Sequence, residues 1–194
     1  MSTKDIILDA AETLILQQGV SATSLNDICK LAEITKGGFF HYFKSKNDLI
    51  IESIQRFSQH TLDKYQNLLN PLDGDAVEKL KLFFNNFEHE ILTSDLVGCV
   101  VGISAQELAV SNPELQATIA QAFSPVMNFF VELIESVAQQ QEVSIDARAS
   151  SLMWLACSQG ALMLYRGLGD KQIISIVLAE YRNDLFKKLN IINY

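Results

Sequence analysis

The sequence predicts an all-α protein, and three observations carry that expectation. Apolar residues recur at three- and four-residue spacing almost throughout, and the strict alternation of a half-buried strand bounded by turn residues is missing. The breaks between periodic segments also carry helix-capping residues. With 194 residues and 48% hydrophobic content, the chain is long enough for one sizeable core, or for a large core and a small satellite domain.

About nine helices are expected from this periodicity. The first, over residues 3–18, places Ile6, Ile7, Ala10, Leu14 and Gln17 near one stripe, and Gly19 behind it suits a left-handed terminal position. A second helix starts at Thr23 or Ser24, where Ser24 and Asp27 form an S-x-x-D capping pattern, and runs to Ala32. The third is short, from Thr35 or Lys36 to Phe43. Ser45 and Asp48 repeat the capping pattern and open a long fourth helix over 46–69.

Pro71, Asp73 and Gly74 then break the chain, and helices are expected over 75–92 and 98–109. Asn112, Pro113 and Glu114 combine an N-cap, a proline at the first helical position and an acid in the first turn. They start a seventh helix that should reach Gln141 with a kink at Pro125. Helices over 146–166 and 171–190 flank a break expected at Gly167 and Gly169.

A net charge of −8 is unexpected for a protein that meets a polyanion, but it is unevenly spread. Residues 1–47 hold five lysines and five acids, so the remaining residues carry the whole excess. Within 24–46 there are four lysines against two acids, which makes this segment locally basic and places any nucleic-acid surface there. Apolar runs such as 173–179 fall far short of the roughly 20 residues that cross a bilayer, so no membrane association and a cytoplasmic location are expected. Cys29, Cys99 and Cys157 show no C-x-x-C spacing and are odd in number, which favours reduced thiols.

The segment from Thr23 to Asp48, TSLNDICKLAEITKGGFFHYFKSKND, carries the functional signal. Its two short helices are separated by Glu33, Ile34 and Thr35, and Leu25, Ile28, Leu31, Ile34, Phe39 and Phe43 are spaced to face one small core. That spacing matches a helix-turn-helix, whose second helix enters the major groove of DNA. Lys36, Gly37, Gly38, Phe40, His41 and Tyr42 are left facing outward. Two glycines opening a helix cost about 1 kcal/mol each relative to alanine, which points either to close backbone approach to DNA or to a loose turn.

The run Thr35, Lys36, Gly37, Gly38, Phe39, Phe40, His41, Tyr42, Phe43, Lys44, Ser45, Lys46, Asn47, Asp48, Leu49 resembles the TetR family motif T-K-G-x-F/L-Y-x-H/Y-F-x-S/N-K-x-x-L. With Ile7, Leu8, Ala10, Ala11, Gly19 and the Thr23 to Ile28 segment, the resemblance covers the first fifty residues or so. It implies a helix-turn-helix DNA-binding domain over 1–47 and an effector-binding and dimerisation domain over 48–194. It further implies DNA contact at Ser24, Lys36, Gly37, Gly38, His41, Tyr42 and Lys46. Phe40 departs from the motif, which has tyrosine there, and so lacks the hydroxyl for a phosphate bond.

Further along, Gly98, Cys99, Gln106, Glu107, Leu108 and Pro113, Glu114, Leu115 resemble a pattern found in one branch of that family. The family fold implies a homodimer through the last two helices. Leu152, Leu155, Cys157, Gly160, Ala161 and Leu164 on the eighth and Ile173, Ile176, Val177, Leu185 and Leu189 on the ninth are expected to form it. It also implies an effector cavity, expected to be lined by Phe84, Phe87, Cys99, Ile103, Gln106, Met127, Phe130 and Trp154 with Gln106 as a polar anchor. Large flexible side chains with few charges suit an apolar or reactive small molecule.

Cys99 has two readings, a thiol activated at a helix start or a small buried hydrophobe. His60 and His89 lie in no metal-ligand spacing, and no catalytic motif is visible, so no metal, cofactor or enzymatic activity is expected. A ligand-responsive repressor that binds a palindromic operator as a dimer is the first functional expectation. A helical-bundle enzyme retaining the N-terminal motif, or a DNA-binding adaptor without a cavity, are the alternatives.

Overall fold

The computed structural model describes residues 2–72 and 74–192, and among these residues nine α-helices and no strand are formed. They are α1 (Thr3–Gln18), α2 (Leu25–Leu31), α3 (Lys36–Tyr42), α4 (Lys46–Leu69), α5 (Ala76–Thr93), α6 (Val100–Leu108), α7 (Pro113–Gln140), α8 (Ala147–Leu168) and α9 (Gln172–Lys188). Asp73, expected in the break after α4, lies outside the described residues.

Local chemistry accounts for most of the helix starts. Ser24 accepts from the Asp27 N–H while the Asp27 carboxylate accepts from the Ser24 N–H, the reciprocal box that the sequence announces at α2. Ser2 and Asp5 make the same box at α1. At α4, Ser45 Oγ accepts from the Asp48 N–H at 3.1 Å, and Asp48 accepts from the Lys44 N–H at 2.9 Å. Asn112 Oδ1 accepts from the Leu115 N–H at 3.2 Å, capping α7. These bonds satisfy N–H groups that have no intrahelical acceptor.

Two expectations are corrected at the helix ends. Gly19 has the expected positive φ of 88°, but its ψ of 168° is extended rather than left-handed helical, a region open essentially to glycine alone. Gly167 does not break α8, which continues until Gly169 turns left-handed at φ 75°. The helix α7 continues past Pro125, the position at which a kink is expected.

The chain divides into two compact units, Met1–His60 with Leu96–Ser124, and Thr61–Asp95 with Pro125–Tyr194. In the first unit one apolar cluster joins Ile7, Leu8, Ala11, Ile28, Phe39, Phe43 and Leu49, and a second joins Ile15, Val20, Ile50, Ile54, Val100, Ile103, Leu115 and Ile119. So α6 and the first half of α7 share this unit with α1 to α3. In the second unit Leu80, Phe83, Phe84, Phe130, Ile134, Val137, Trp154, Leu185, Phe186 and Leu189 form the core.

Among the described residues α7 is long and apolar enough to cross a membrane, contrary to the expectation that no stretch would be. Its Leu115, Ile119 and Ala122 are buried in the first unit and its Phe130, Leu133, Ile134 and Val137 in the second, so protein cores take up part of that surface, 33% of the most apolar stretch being buried.

Candidate nucleic-acid interface

A seven-residue helix can bury only one side, and this decides what α2 and α3 present. On α2 the buried residues are Ile28 and Cys29, with Ala32 just beyond, whereas Leu31 is 50% exposed. The expectation that Leu31 faces the core is therefore corrected. Four residues past Ile28 at 100° each returns close to its direction, and three residues falls short on the outer side. On α3, Phe39 is fully buried, and Phe43 follows it into the same cluster.

The opposite side of α3 presents Lys36, Gly37, Phe40, His41 and Tyr42 to solvent, while Gly38 is half-buried. Thr35 caps the helix, its Oγ1 accepting from the Gly38 N–H at 3.0 Å. A Cβ built at Gly37 would approach nothing nearer than Thr35 Oγ1 at 3.8 Å, and one at Gly38 nothing nearer than 3.5 Å. The protein itself thus has room for side chains at both glycines. His41 and Tyr42 meet edge to face with ring centroids 4.9 Å apart.

The positive charges of this region divide into two groups. Lys4 pairs with Glu52 and lies over the Phe43 ring, 5.6 Å from its centroid, which pins α1 to α4 and the turn before it. Lys46 is half-buried and donates from Nζ to the Val20 carbonyl at 2.7 Å, and desolvation pulls its pKa down while the Glu107 charge pushes it up. Lys30, Lys36 and Lys44 are exposed. Ser24, expected to touch DNA, is exposed, and its hydroxyl is engaged with Asp27 at the start of α2. Hydrogen bonding to Ser24 holds the Asp27 carboxyl below its usual range.

The residues expected around an effector fall into both units. Phe84, Phe130 and Trp154 are buried in the second unit, with Phe87 and Met127 half-buried there. Ring centroids lie 4.7 Å apart for Phe130 and Trp154, and 5.6 Å for Phe87 and Trp154. The Trp154 Nε1–H is buried with no hydrogen-bond acceptor. Cys99 and Ile103 pack with the first unit, where Cys99 caps α6 through a Gly102 N–H bond to Sγ, and Gln106 is exposed on α6.

In the second unit α8 and α9 leave Leu152, Met153, Met163, Leu164, Leu168 and Ile176 exposed. Leu185 and Leu189, expected at a dimer face, are instead buried in that unit's core, as is Ala161. They lie on the side of α9 that carries Leu178 and Tyr181, while Ile176 points away.

Sequence reasoning missed Glu107 as a structural residue. Its carboxylate accepts from the Ser21 N–H at 2.7 Å across 86 positions of sequence, a separation that no periodicity reveals.

A short solvent-facing helix that follows another across the connection 32–35, both set on one small apolar core, has the form of a helix-turn-helix. The N-terminal region of the chain, residues 7–52, matches the family described as bacterial regulatory proteins of the tetR family. Residues 76–180 match the C-terminal domain of LmrA/YxaF-like transcriptional regulators. The chain belongs to the TetR family. It is a helix-turn-helix transcriptional regulator, and regulators of this family bind operator DNA and act as dimers.

Among similar proteins, the HTH-type transcriptional repressor DhaR of Mycobacterium sp. (strain GP1) is 26% identical over 161 residues, 81% of this chain and 79% of that one. The HTH-type transcriptional regulator LmrA of Bacillus subtilis is 23% identical over 164 residues, 84% of this chain and 85% of its own. The fold is shared with a TetR-family regulator from Agrobacterium tumefaciens, with a TM-score of 0.83 at 24% identity over 96% of this chain and 97% of that one. It is also shared with the reduced form of NemR from Escherichia coli, with a TM-score of 0.80 at 19% identity over 93% and 95%.

Proposed function

We propose that the protein is a cytoplasmic repressor that binds a palindromic operator as a homodimer and is released when a small apolar molecule enters its second unit. The observation that carries the DNA reading is the outer face of α3, with Lys36, Gly37, His41 and Tyr42 exposed and two glycines that no neighbouring atom requires. Since the protein leaves space at both, the backbone's approach to a duplex is the remaining reason for their lack of side chains.

Ser24, Lys36, Gly37, Gly38, His41 and Tyr42 form the proposed DNA face. Lys36 reaches a base edge, and Tyr42 and the start of α2 meet phosphates. Lys46, held on the Val20 carbonyl, serves chiefly to position the loop between α1 and α2. Domains of 1–47 for DNA binding and 48–194 for effector binding and dimerisation remain the functional division, with α6 packed beside the first of them.

The exposed apolar side chains of α8 and Ile176 of α9 support dimerisation through those helices. Isologous pairing is the commonest way to close such a surface. Phe84, Phe87, Met127, Phe130 and Trp154 form the aromatic lining proposed for the effector, and the unpartnered Trp154 N–H supports a molecule carrying one hydrogen-bond acceptor. Cys99, Ile103 and Gln106, also expected from the sequence to line the effector, belong to the first unit and are not part of this proposed lining.

The deciding experiment is selection of duplexes from a random pool by the full chain. An enriched sequence with two inverted half-sites about one helical turn apart supports the proposal, whereas absence of enrichment refutes it.

A further inference from the structure

Two charged side chains from different helices hold opposite ends of a single peptide unit. The carbonyl of Val20 accepts from Lys46 Nζ of α4 at 2.7 Å, and the adjoining N–H of Ser21 donates to Glu107 Oε2 of α6 at 2.7 Å. A peptide group carries its negative end on oxygen and its positive end on the N–H, so a cation at one end and an anion at the other both stabilise one orientation of its plane.

The surroundings leave this peptide little freedom. Val20 is buried in the cluster with Ile15, Ile50 and Ile54. Thr23 donates from Oγ1 to the Gly19 carbonyl at 2.7 Å, closing the loop on itself. The Glu107 carboxylate lies so close over Gly19 that an added Cβ would fall 2.2 Å from Oε1. The φ of 88° requires glycine at position 19, and any side chain there would also have to push the Glu107 carboxylate off its place.

This loop leads directly into Ser24, the residue that caps α2. A shift of the Val20–Ser21 peptide moves the cap, and with it the helix against which α3 is set.

We infer that Glu107 is a positioning residue for operator binding, fixing the loop between α1 and α2 so that the helix-turn-helix meets DNA in one register. The inference rests on the operator reading above and adds a role for a residue far from the DNA face.

The test uses the full chain, the duplex enriched by the wild-type protein, and three readouts: operator affinity, its salt dependence, and hydrogen exchange at the Ser21 amide. Glu107→Ala should weaken operator binding about tenfold, the cost of one charge-assisted hydrogen bond. The slope of log affinity against log salt should stay unchanged, because no phosphate contact is removed. Exchange at the Ser21 amide should quicken. Glu107→Gln keeps a carbonyl oxygen for the Ser21 N–H and should retain affinity within about threefold of wild type, with the amide still protected.

Wild-type affinity in Glu107→Ala would overturn the inference, as would an equal loss in both variants or a Ser21 amide that exchanges freely in the wild type. Should Glu107→Ala fail to fold, Glu107→Gln and the wild-type exchange rate decide alone. If no duplex is enriched, the operator reading itself has failed, a result distinct from enrichment with indifferent variants.

Discussion

Arg56 Nε donates to Glu12 Oε1 at 2.8 Å, and its Nη2 reaches Asp9 at 2.7 Å, so the first arginine in the chain is committed to joining α4 to α1. Burial raises the Glu12 pKa despite the opposing guanidinium. Both side chains of this pair are mostly buried, so removing one leaves the other's charge poorly solvated. Arg56→Ala should destabilise the protein by about 3 kcal/mol at neutral pH, measured by chemical denaturation.

The pH dependence of that variant has a definite sign. An acid whose folded pKa is raised binds more protons in the folded state, so its contribution to stability is most favourable at low pH and declines as pH rises through the folded value. Losing Arg56 raises Glu12 further, so the deficit of Arg56→Ala should be smaller at pH 5 than at pH 7. Equal deficits at the two pH values would contradict the assignment to Glu12.

Asp5, Asp27 and Asp75 behave oppositely. Hydrogen bonds from capping N–H groups, serine hydroxyls or the Gln140 amide hold their carboxyls below the ordinary value. Their stabilisation is complete above the unfolded pKa of about 3.9 and is lost as pH falls through the lower folded values. The melting temperature should fall below about pH 4, and Asp27→Asn should soften that fall, as thermal scans between pH 3 and pH 6 would reveal.

Exposed lysines should separate specificity from general affinity. Lys36→Ala should cost about 1–3 kcal/mol per half-site on the selected duplex and less on random DNA. Lys44→Ala, which removes an exposed charge two residues past Tyr42, should weaken both and flatten the log–log salt slope by up to about one unit per half-site. Fluorescence anisotropy over a salt series measures both quantities, and an unchanged operator-to-random ratio for Lys36→Ala would assign specificity to DNA shape.

On the last two helices, Met163 and Leu189 should respond in different assays. Met163→Glu places a charge on the exposed face of α8 and should yield monomers in sedimentation at micromolar concentration with the fold intact. Leu189 is fully buried, and Leu189→Ala should cost about 2–5 kcal/mol in stability through the cavity it leaves.

Trp154, the single tryptophan, reports on the second unit. A compound that releases the protein from DNA should change its emission, and Trp154→Phe should weaken compounds bearing an acceptor oxygen more than their hydrocarbon counterparts. Release without any change in emission would place the effector elsewhere.

Local chemistry was legible in the sequence wherever one short segment contains all the interacting groups. Ser24 with Asp27, Ser45 with Asp48, and Asn112 with Pro113 mark helix starts because each capping bond spans about three residues. The outward set on α3 follows from the helical period, since Phe39 and Phe43 are one turn apart and exclude their neighbours from the same side. Leu31 and Leu189 misled because apolarity indicates that a side chain favours burial without indicating which surface covers it. For Leu31 the first unit's core ran out; for Leu189 the second unit's own core took the place expected of a partner subunit.

The grip of Lys46 and Glu107 on the Val20–Ser21 peptide lies beyond sequence reading for a further reason. Both side chains are charged residues on amphipathic helices, and their ordinary place is in water. Only the packing of α6 against α1 brings a carboxylate from position 107 to an amide at position 21. The helices and their caps were thus determined locally, by hydrogen bonds within a turn. The peptide that sets the helix-turn-helix was decided by tertiary structure, because its two charges meet only after separate helices have buried their apolar faces together.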